Sequence, residues 1–426
     1  MVDEISGIIL AFFIITYLLI STGKVNRTAM SLLGLGVAGA ILWAANQSTF
    51  VNVINDIEWH TILFLTSIQI IVVVAASSGM FQYISIELVK PTHGDIKRLF
   101  ITLMAFVFTI SLIFDTTSTM IVMVPVTVEL CKALDLDFRP FLISEAIICN
   151  FASIPSVIGS IPNIVIATEA VLDSSLMFVT LMPITVLLFA ITIPILLKYY
   201  RDTLVLSDEY IVEEIMMVDS SFMIRSKNDF YASLVALTVL VIGITVGLGL
   251  GLRTSFVAII LASILLIFCR ERVDDILNRV NWASILFLVG LFGLVAALGV
   301  TGIIQEFSLG VQALVNLSEI LGVTFMTWIP AILSGVIDTV PVSALLAPVA
   351  ASLVSSPIFA ITLVYAVNIG GFLFPLGAPG NIIIIAYSIK EGKPIRLLDF
   401  LKIATPLGII MLGLGNAWLL IMSAFI

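Results

Sequence analysis

The sequence predicts an all-α polytopic membrane protein with two inverted-topology repeats, and three observations support this fold class. Of its 426 residues, 60% are hydrophobic and 11% are charged, which is more apolar surface than a soluble core can bury. Several apolar runs approach twenty residues, roughly the length that a membrane-spanning helix needs. Landmark residues of the first half also recur in the second half at a nearly constant spacing.

The apolar spans form two sets on either side of a polar segment, 201–229, which we predict to be a cytoplasmic linker. The first repeat, 1–200, has predicted helices at about 5–22, 29–45, 60–88, 98–130, 139–171 and 178–200. The second repeat, 230–426, has them at about 230–251, 254–269, 282–304, 322–350, 357–389 and 399–425. Several spans are too long for one straight crossing and carry Gly, Pro, Ser or Asn in the middle. Such polar backbone at membrane depth is tolerated only where protein or a water-filled cavity surrounds it.

An internal duplication relates the two halves. The run Trp59-His-Thr-Ile-Leu-Phe-Leu matches Trp282-Ala-Ser-Ile-Leu-Phe-Leu at an offset of 223 positions. The same offset relates Gly79 to Gly302, Gln82 to Gln305, Ser111 to Ser334, Asp115 to Asp338, Pro125 to Pro348 and Pro183 to Pro406. Between the two proline pairs the offset changes to 218. This offset relates Asn150 to Asn368, Gly159 to Gly377 and Asn163 to Asn381. A constant offset across such landmarks indicates duplication of one structural unit.

Two aspartates, Asp115 and Asp338, lie among small and hydroxyl residues inside apolar spans. No Lys or Arg occurs within 99–131 or within 303–389. An acid without a basic partner in such surroundings is costly, so both are candidates for a functional site. A satisfied structural carboxylate is the alternative for either one, but two that recur in register favour function.

Hydroxyl groups accompany both aspartates. They are Thr116, Thr117 and Ser118 in the first half, and Thr339 and Ser343 in the second. We predict that they contribute oxygen ligands to a substrate or ion site. The alternative for each hydroxyl is a hydrogen bond to a carbonyl of its own helix.

The distribution of basic residues predicts the topology. If 98–130 and 322–350 are re-entrant hairpins and the N-terminus is outside, 18 of the 19 Lys and Arg residues lie on the cytoplasmic side, and only Arg253 lies outside. This satisfies the positive-inside rule, which ordinary crossings at the two aspartate spans would violate. Each half then crosses the cell membrane five times, the two halves have opposite orientation, and both termini are outside.

Two further spans, 139–171 and 357–389, are predicted to be helices broken at mid-membrane. Their interruptions read SVIGSIPN at 156–163 and PLGAPGN at 375–381. Glycines (Gly159, Gly377) permit unwinding, Pro can start the following half-helix, and Asn163 and Asn381 supply polar side chains. The N-termini of half-helices can hold an anion without Lys or Arg. Inverted repeats with such interruptions are typical of secondary transporters.

Glu145 lies in the first broken span, and its counterpart in the second repeat is Leu363. It is either a proton carrier on an asymmetric path or a side chain that snorkels to the interface. Na⁺ or H⁺ is the expected coupling ion, with Na⁺ possible at Asp115 and Asp338, and no other cofactor is expected. The three cysteines show no spacing typical of disulfides or zinc.

Four motifs resemble one superfamily of ion transporters, which includes arsenite permeases, NhaD-type sodium–proton antiporters, the melanosomal P protein and, more distantly, citrate and dicarboxylate carriers. The motifs are Phe114-Asp-Thr-Thr-Ser-Thr before Val-Pro-Val, Ile337-Asp-Thr-Val-Pro, Gly159-Ser-Ile-Pro-Asn-Ile and Gly377-Ala-Pro-Gly-Asn. The resemblance covers nearly the whole chain. This sequence departs from the pattern at Thr116 and Thr339, where the superfamily often has Asn, and at Ser160, where it has Asp.

The resemblance implies a scaffold with a moving transport domain, elevator-type alternating access and a homodimer. We expect an ion-coupled transporter of a small anion or oxyanion, for which the resemblance suggests arsenite- or antimonite-like efflux. Alternatives are a Na⁺/H⁺ antiporter and a di- or tricarboxylate carrier. An intramembrane aspartyl protease lacks its Gly-x-Gly-Asp motif here, and a channel does not need inverted hairpins. We therefore expect no enzyme activity; the expected partners are the bilayer and a small substrate, not nucleic acid.

Overall fold

A computed structural model of the chain describes residues 4–21, 25–57, 59–92, 95–204, 220–249, 254–353, 356–375 and 377–426. These ranges contain twenty α-helices and no β-strand. Three short 3₁₀ turns are also present, at Lys90–Thr92, Ser220–Met223 and Arg270–Arg272.

The helices of the first half are α1 (Glu4–Ser21), α2 (Arg27–Ala44), α3 (Phe50–Asn55), α4 (Trp59–Ser77), α5 (Met80–Val89), α6 (Ile96–Ser111), α7 (Thr116–Ala133), α8 (Arg139–Ala152), α9 (Ile161–Glu169) and α10 (Ser174–Tyr199). Those of the second half are α11 (Lys227–Gly249), α12 (Thr254–Phe268), α13 (Val273–Arg279), α14 (Trp282–Val300), α15 (Ile303–Leu317), α16 (Glu319–Val336), α17 (Thr339–Ser352), α18 (Ile358–Gly370), α19 (Pro379–Lys390) and α20 (Leu397–Met422).

Six helices, α2, α4, α10, α14, α16 and α20, are long and apolar enough to cross a membrane, and shorter apolar helices accompany them. Helix α10 leaves Phe178, Val179, Val186 and Leu187 exposed, as a lipid-facing helix does and a soluble surface rarely does. The prediction of an all-α polytopic membrane protein is confirmed. The inverted orientation of the repeats, the five crossings of each half and the re-entrant hairpins stay predictions, and Arg253 lies outside the described residues.

Two spans predicted as single helices are broken by a glycine. The span 60–88 ends at Ser77 and restarts at Met80, because Gly79 adopts a left-handed φ of 85°. The span 282–304 is interrupted at its repeat-related position, where Gly302 has a φ of 79°. Glycine adopts this conformation without the steric cost that other residues meet, so each pair of helices changes direction at that point.

Most of helix α15 lies between the predicted spans 282–304 and 322–350, where no helix is predicted from the sequence. Its buried side includes Ile304, Ser308 and Val311, whereas Phe307, Leu309 and Leu317 are exposed. Interspersed polar residues lower its average apolarity, so a search for continuous apolar runs does not find it. The short helices α3 and α13 were missed for the same reason.

The end of the predicted linker packs on the first glycine break. The N–H of Arg225 donates to the Ser78 carbonyl at 2.9 Å. A Cβ on Gly79 would lie 1.8 Å from the Met223 carbonyl oxygen, so only glycine allows this approach. Within 201–229, the structure describes 201–204 and 220–229, and the second of these segments contacts the first half.

The two halves are interleaved. Helix α9 of the first half packs on α17 of the second, and α19 of the second packs on α7 of the first. Likewise α2 packs on α14, and α12 on α4. The α2–α14 contact is close because a Cβ on Gly290 would lie only 2.5 Å from the Ser31 carbonyl carbon, and small residues allow such approach inside membranes. Each half therefore completes its packing with the other.

Candidate functional site

The turn of the first hairpin (α6 and α7) places Asp115 as the N-cap of α7. Its Oδ2 accepts hydrogen bonds from the N–H groups of Thr117 at 2.9 Å and Ser118 at 3.2 Å. Its Oδ1 accepts the Ser118 hydroxyl at 2.5 Å. Aspartate is a preferred N-cap because it satisfies backbone N–H groups that have no partner in the helix. The buried carboxylate thus holds the hairpin turn in shape.

The second hairpin (α16 and α17) carries Asp338 at the equivalent cap. Among the described residues, its donors reach only Oδ1: the Val340 N–H at 3.1 Å and the Thr339 hydroxyl at 3.3 Å. The other oxygen, Oδ2, accepts no hydrogen bond from the described residues. The two aspartates therefore occupy repeat-related positions with unequal hydrogen bonding.

Two breaks interrupt the broken helices: the first break is 153–160, between α8 and α9, and the second is 371–378, between α18 and α19. Asn163 spans the first break by donating from Nδ2 to the carbonyls of Ser153 and Ser156, at 2.9 and 2.8 Å. Asn381 spans the second in the same way, with bonds to Gly371 at 2.8 Å and Phe374 at 3.4 Å. Each asparagine thus stabilises carbonyls that the interruption leaves without helical partners.

The same asparagines join the two halves. Asn368 Nδ2 donates to Asn163 Oδ1 at 2.6 Å, and Asn150 Nδ2 donates to Asn381 Oδ1 at 3.2 Å. All four side chains are buried. We call them the asparagine quartet. Its repeat-related pairs exchange hydrogen bonds reciprocally, so the centre of the molecule is polar and hydrogen-bonded without any charged residue in the quartet.

One position breaks the symmetry of the quartet. The Ser153 hydroxyl donates to Asn368 Oδ1 at 3.1 Å, whereas its repeat counterpart is Gly371. A Cβ there would lie 2.7 Å from Asn150 Oδ1 and 2.8 Å from Thr339 Cγ2. The second half therefore uses glycine where the first uses serine, because the quartet and the second hairpin approach too closely for a side chain.

Glycines also bring each break against the neighbouring hairpin. A Cβ on Gly159 would lie 2.5 Å from the Ser111 carbonyl oxygen, at the end of α6. A Cβ on Gly377 would lie 2.7 Å from the Gly371 carbonyl oxygen and 3.1 Å from Gly335 Cα. In both halves the missing side chain lets the loop of the break reach the hairpin.

The hairpin turns and the breaks meet at one place. The N–H of Thr339 donates to the Gly377 carbonyl at 3.1 Å. At the start of α19, a Cβ on Gly380 would lie 3.2 Å from the Thr116 carbonyl oxygen. Helices α9 and α19 begin beside these turns and have no side-chain cap. The N-termini of α7, α9, α17 and α19 therefore gather around the asparagine quartet.

A cavity of about 80 Å³ reaches the first hairpin turn, and we call it the tip cavity. Its polar lining is formed by Asp115, Thr117, Ser118, Gln69, Arg279, Asn281 and Ser284. Thr117 and Ser118 are half-buried, and Arg279 is exposed at its edge. The cavity thus connects the first hairpin turn with a surface that carries a positive charge.

A second cavity of about 360 Å³, the wide cavity, is lined by Asp56, Glu169 and Gln305 together with apolar residues of α9, α14 and α17. Several of its residues are repeat counterparts of tip-cavity residues, namely Phe292 of Gln69, Val295 of Val72, Ala296 of Val73, Gly299 of Ala76 and Ala344 of Ile121. It does not reach Asp338. The two cavities occupy related positions but differ in size and charge.

Positive charge approaches both aspartates from other parts of the chain. Arg279 shares the tip cavity with Asp115. Arg27, whose guanidinium lies 5.6 Å from the centre of the Phe287 ring, is close enough to Asp338 for its charge to act on that carboxylate. No Lys or Arg occurs within 99–131 or within 303–389, but packing brings a basic residue from elsewhere in the chain towards each aspartate.

The remaining candidate residues are Ser343, Glu145 and Thr116. The Ser343 hydroxyl donates to the Val340 carbonyl of its own helix at 2.7 Å, which is the alternative considered for hydroxyls above. Glu145 is buried in α8 and accepts the Thr127 hydroxyl at 2.5 Å, so it does not snorkel. Thr116 takes part through its carbonyl, which also accepts the Cys149 thiol at 3.8 Å.

Sequence reasoning missed several polar residues of this region. Asn150 and Asn368 were recognised as repeat landmarks but not as site residues, although their shared offset was the available signal. Gln69 is a second omission: its Oε1 accepts the Asn281 N–H at 2.9 Å beside the tip cavity. Nothing in its local sequence indicates this contact, since the two residues are 212 positions apart.

A family model described as a citrate transporter (CitMHS) matches residues 17–356, which is well over half of the chain. The chain belongs to this citrate transporter family. It is therefore a multi-pass membrane transporter of the ion-transporter superfamily, as the motifs predicted. The family is one of transporters and not of enzymes, which disfavours the protease hypothesis.

Relatives extend this assignment over nearly the whole chain. A "46 kDa membrane protein" of Mycobacterium leprae is 27% identical over 421 residues, covering 97% of this chain and 98% of the relative. An "uncharacterized transporter" of Mycobacterium tuberculosis is 25% identical over 406 residues, covering 93% of this chain and 94% of the relative. The human "P protein" is 23% identical over 493 residues, covering 95% of this chain but 58% of the P protein.

Proposed function

We propose that this family member is an ion-coupled secondary transporter that moves a small anion or oxyanion by alternating access. The substrate would lie between the hairpin turns and the breaks, beside Asp115, Thr117, Ser118, Asp338, Thr339, Gly159, Asn163, Gly377 and Asn381. Arsenite- or antimonite-like efflux is the form that the family resemblance suggests. The resemblance also suggests an elevator-type movement and a homodimer.

One observation carries this proposal: four helix N-termini gather around a buried, uncharged asparagine quartet. Backbone N–H groups and helix dipoles there favour negative charge. The starts of α9 and α19 have no side-chain cap, so a bound anion could take that place. Arg279 at the edge of the tip cavity would attract the anion.

The repeat-related cavities support alternating access. In the predicted topology, Arg279 lies on the cytoplasmic side, and Asp56 and Glu169 lie on the outer side. Two inverted repeats that open alternately to the two sides of the membrane would form related cavities on opposite faces. The tip cavity, at about 80 Å³, has room for a few water molecules or a small oxyanion, which favours a small substrate in this conformation.

Two alternatives have their own support. A Na⁺/H⁺ antiporter is favoured by Asp338, because its Oδ2 has no donor among the described residues and an oxygen ligand suits Na⁺ or H⁺. A di- or tricarboxylate carrier is favoured by the family's description, which names citrate. For citrate, the hairpins would have to move apart to enlarge the tip cavity.

Reconstituted vesicles distinguish these functions. Purified protein would be placed in vesicles with an internal pH dye, and separate Na⁺ and proton gradients would be imposed. Arsenite, phosphate, sulfate, citrate and succinate would be added one at a time. Flux that needs arsenite, phosphate or sulfate supports the proposal, and flux that needs citrate or succinate supports the carboxylate carrier. Proton movement driven by Na⁺ alone supports the antiporter.

The control for this experiment is a matched pair of variants. The double variant Asp115→Asn/Asp338→Asn removes both site carboxylates and should abolish flux. Asp173→Asn makes the same change at an exposed N-cap, where Asp173 accepts the Ser175 and Leu176 N–H groups at 2.7 and 2.9 Å. It should transport like the unchanged protein. Equal flux in all three proteins would contradict a role of the aspartates.

A further inference from the structure

Glu145 has an unusual environment for an acid. Its side chain is fully buried, at 0% exposure. Oε1 accepts the Thr127 hydroxyl at 2.5 Å, and Oε2 has no hydrogen-bond partner among the described residues. Away from water, an ionised carboxylate with one donor is poorly stabilised, whereas the neutral acid is tolerated. The geometry therefore suits a carboxyl that carries a proton.

Glu145 makes no ion pair among the described residues, and the Thr127 hydroxyl is its one hydrogen-bond donor there. Two titratable groups interact electrostatically with Glu145, Cys131 on α7 and Cys149 on α8, and both are buried thiols. The other described titratable residues of α7, α8 and the helices packed against α8 are Lys97, Arg98, Glu129, Lys132, Arg139, Lys198, Tyr199, Tyr365, Tyr387, Lys390, Asp399 and Lys402.

The acid is absent from the second half. Glu145 corresponds to Leu363, and Thr127 corresponds to Ala350, both of them buried and apolar. The second half therefore fills the equivalent place with apolar residues and without an acid–hydroxyl pair. A costly group present in one half only is better explained by function than by packing.

Glu145 is also connected to the candidate site. It lies five residues before Asn150 on α8, which is about 7.5 Å along the helix axis. Asn150 donates to the Ala146 carbonyl at 2.8 Å and to Asn381 at 3.2 Å. Thr127, whose hydroxyl donates to Glu145, lies on the first hairpin, and the turn of this hairpin carries Asp115. Movement of α7 against α8 would therefore change the surroundings of Glu145 and of the site together.

We propose that Glu145 is the proton-binding site that couples transport to the proton gradient. The carboxyl binds a proton in the dry conformation described here and releases it to water when α7 moves and hydrates the pocket. This inference rests on the proposed function in one respect, that a proton accompanies the anion. It assigns the proton to Glu145 and leaves Asp115 and Asp338 as caps and ion ligands.

A spectroscopic experiment tests proton binding without transport. Infrared spectra of the purified protein at neutral pH would be compared with those of Glu145→Gln. The control, Glu129→Gln, removes an exposed acid from α7, the helix that packs against α8 and carries Thr127. The C=O stretch of a protonated carboxyl should be present in the unchanged protein and in Glu129→Gln, and reduced in Glu145→Gln. An unaltered band in Glu145→Gln would overturn the proposal.

A transport experiment tests coupling. In dye-loaded vesicles, the anion that gives flux in the panel above should move protons with the unchanged protein and with Glu129→Gln. Glu145→Gln should lose this proton movement but keep exchange of labelled anion. The double variant Glu145→Leu/Thr127→Ala, which copies the second half, should behave like Glu145→Gln and keeps the test valid if Gln disturbs folding. Proton movement in the Glu145 variants at the level of the unchanged protein would overturn the proposal.

The two experiments separate this inference from the function itself. If no anion of the panel moves but the carboxyl band depends on Glu145, the proposed function fails and Glu145 is still a proton-binding site. If an anion moves without protons in the unchanged protein, the coupling role of Glu145 is wrong while anion transport stands.

Discussion

Asn368 donates a 2.6 Å hydrogen bond to Oδ1 of Asn163, and this contact joins the second half of the chain to the break of the first. The same Asn368 also donates to the Val364 carbonyl at 2.7 Å and accepts the Ser153 hydroxyl. One buried carboxamide thus connects α18, the first break and α9. Its repeat counterpart, Asn150, makes the longer of the two cross-half bonds, at 3.2 Å.

We predict that Asn368→Ala destabilises the protein more than Asn150→Ala. Removing Asn368 takes the donor of a 2.6 Å bond from Asn163 Oδ1, and a buried unsatisfied group costs about 1–3 kcal/mol. Removing Asn150 breaks the longer bond to Asn381, at 3.2 Å. Unfolding in mixed micelles would measure the free energies of both variants and of the double variant. Equal losses for the two single variants would contradict the asymmetry of the quartet.

We predict that Gly159→Ala abolishes transport. The new Cβ would lie 2.5 Å from the Ser111 carbonyl oxygen, so the first break must move away from the hairpin, at a cost of about 1–3 kcal/mol for overpacking. Gly413→Ala is the control, because a Cβ at Gly413 meets no atom within 4 Å. Vesicle flux and thermal stability should change in the first variant only. Normal flux in Gly159→Ala would show that the loop is free to shift.

We predict that Asp115→Asn and Asp115→Ala differ in stability but not in transport. Asparagine still caps α7, whereas alanine loses the cap at a cost of about 0.5–2 kcal/mol. If the carboxylate is an ion ligand, both variants lose ion-coupled flux. Retained coupling in Asp115→Asn would leave only the capping role. Unfolding free energy and vesicle flux should be measured on the same preparations.

We predict that Asp137, which lies in the connection between α7 and α8, makes a contribution to folding stability that depends on pH. Burial raises the pKa of its carboxyl, but hydrogen bonds and charge from Arg139 outweigh burial and hold the pKa below its usual 3.8. The contribution is therefore present above about pH 4 and is lost as the pH falls through the folded-state value. For this half-exposed pair it amounts to about 1 kcal/mol or less.

The variant Asp137→Asn should therefore be less stable than the unchanged protein near neutral pH. The difference should shrink as the pH falls below about 4. Thermal unfolding in detergent at several pH values measures it. A difference that is constant with pH would mean that the charge of Asp137 does not contribute.

We predict that the two cavities open to opposite sides of the membrane. Thr117→Cys should react with a membrane-impermeant thiol reagent applied to the cytoplasmic side, because Arg279 lines the same cavity. Gln305→Cys, in the wide cavity, should react from the outside. The native cysteines are buried and serve as the unreactive background. Labelling of both variants from one side would overturn the predicted inverted topology.

The helical membrane class was predictable because it depends on composition and on the length of apolar runs. The helix interruptions at Gly79 and Gly302 were harder to predict from the sequence. Apolar residues continue through both positions, and only the dihedral angles of the glycines reveal the interruptions. The duplication pointed to Asn163 and Asn381 through their offset. Their partners Asn150 and Asn368 were recognisable only once the interleaved packing was known.

The hydrogen bonds of the hydroxyl groups in the site could not be predicted from the local sequence. Ser118 and Ser343 both follow an aspartate within a hairpin, yet Ser118 donates to Asp115 and Ser343 donates to its own helix. The difference arises from position in the helix: Ser118 is three residues after its aspartate and within reach of the cap, whereas Ser343 is five residues after its aspartate. The approach of Arg27 to Asp338 likewise depends on tertiary packing and has no local signal.

The reciprocal bonds of the asparagine quartet have a consequence for biosynthesis. While the first half emerges from the ribosome, Asn150 and Asn163 have no partners from the second half, because Asn368 and Asn381 have not yet been made. The early intermediate must therefore keep two amides hydrated or shielded by the insertion machinery.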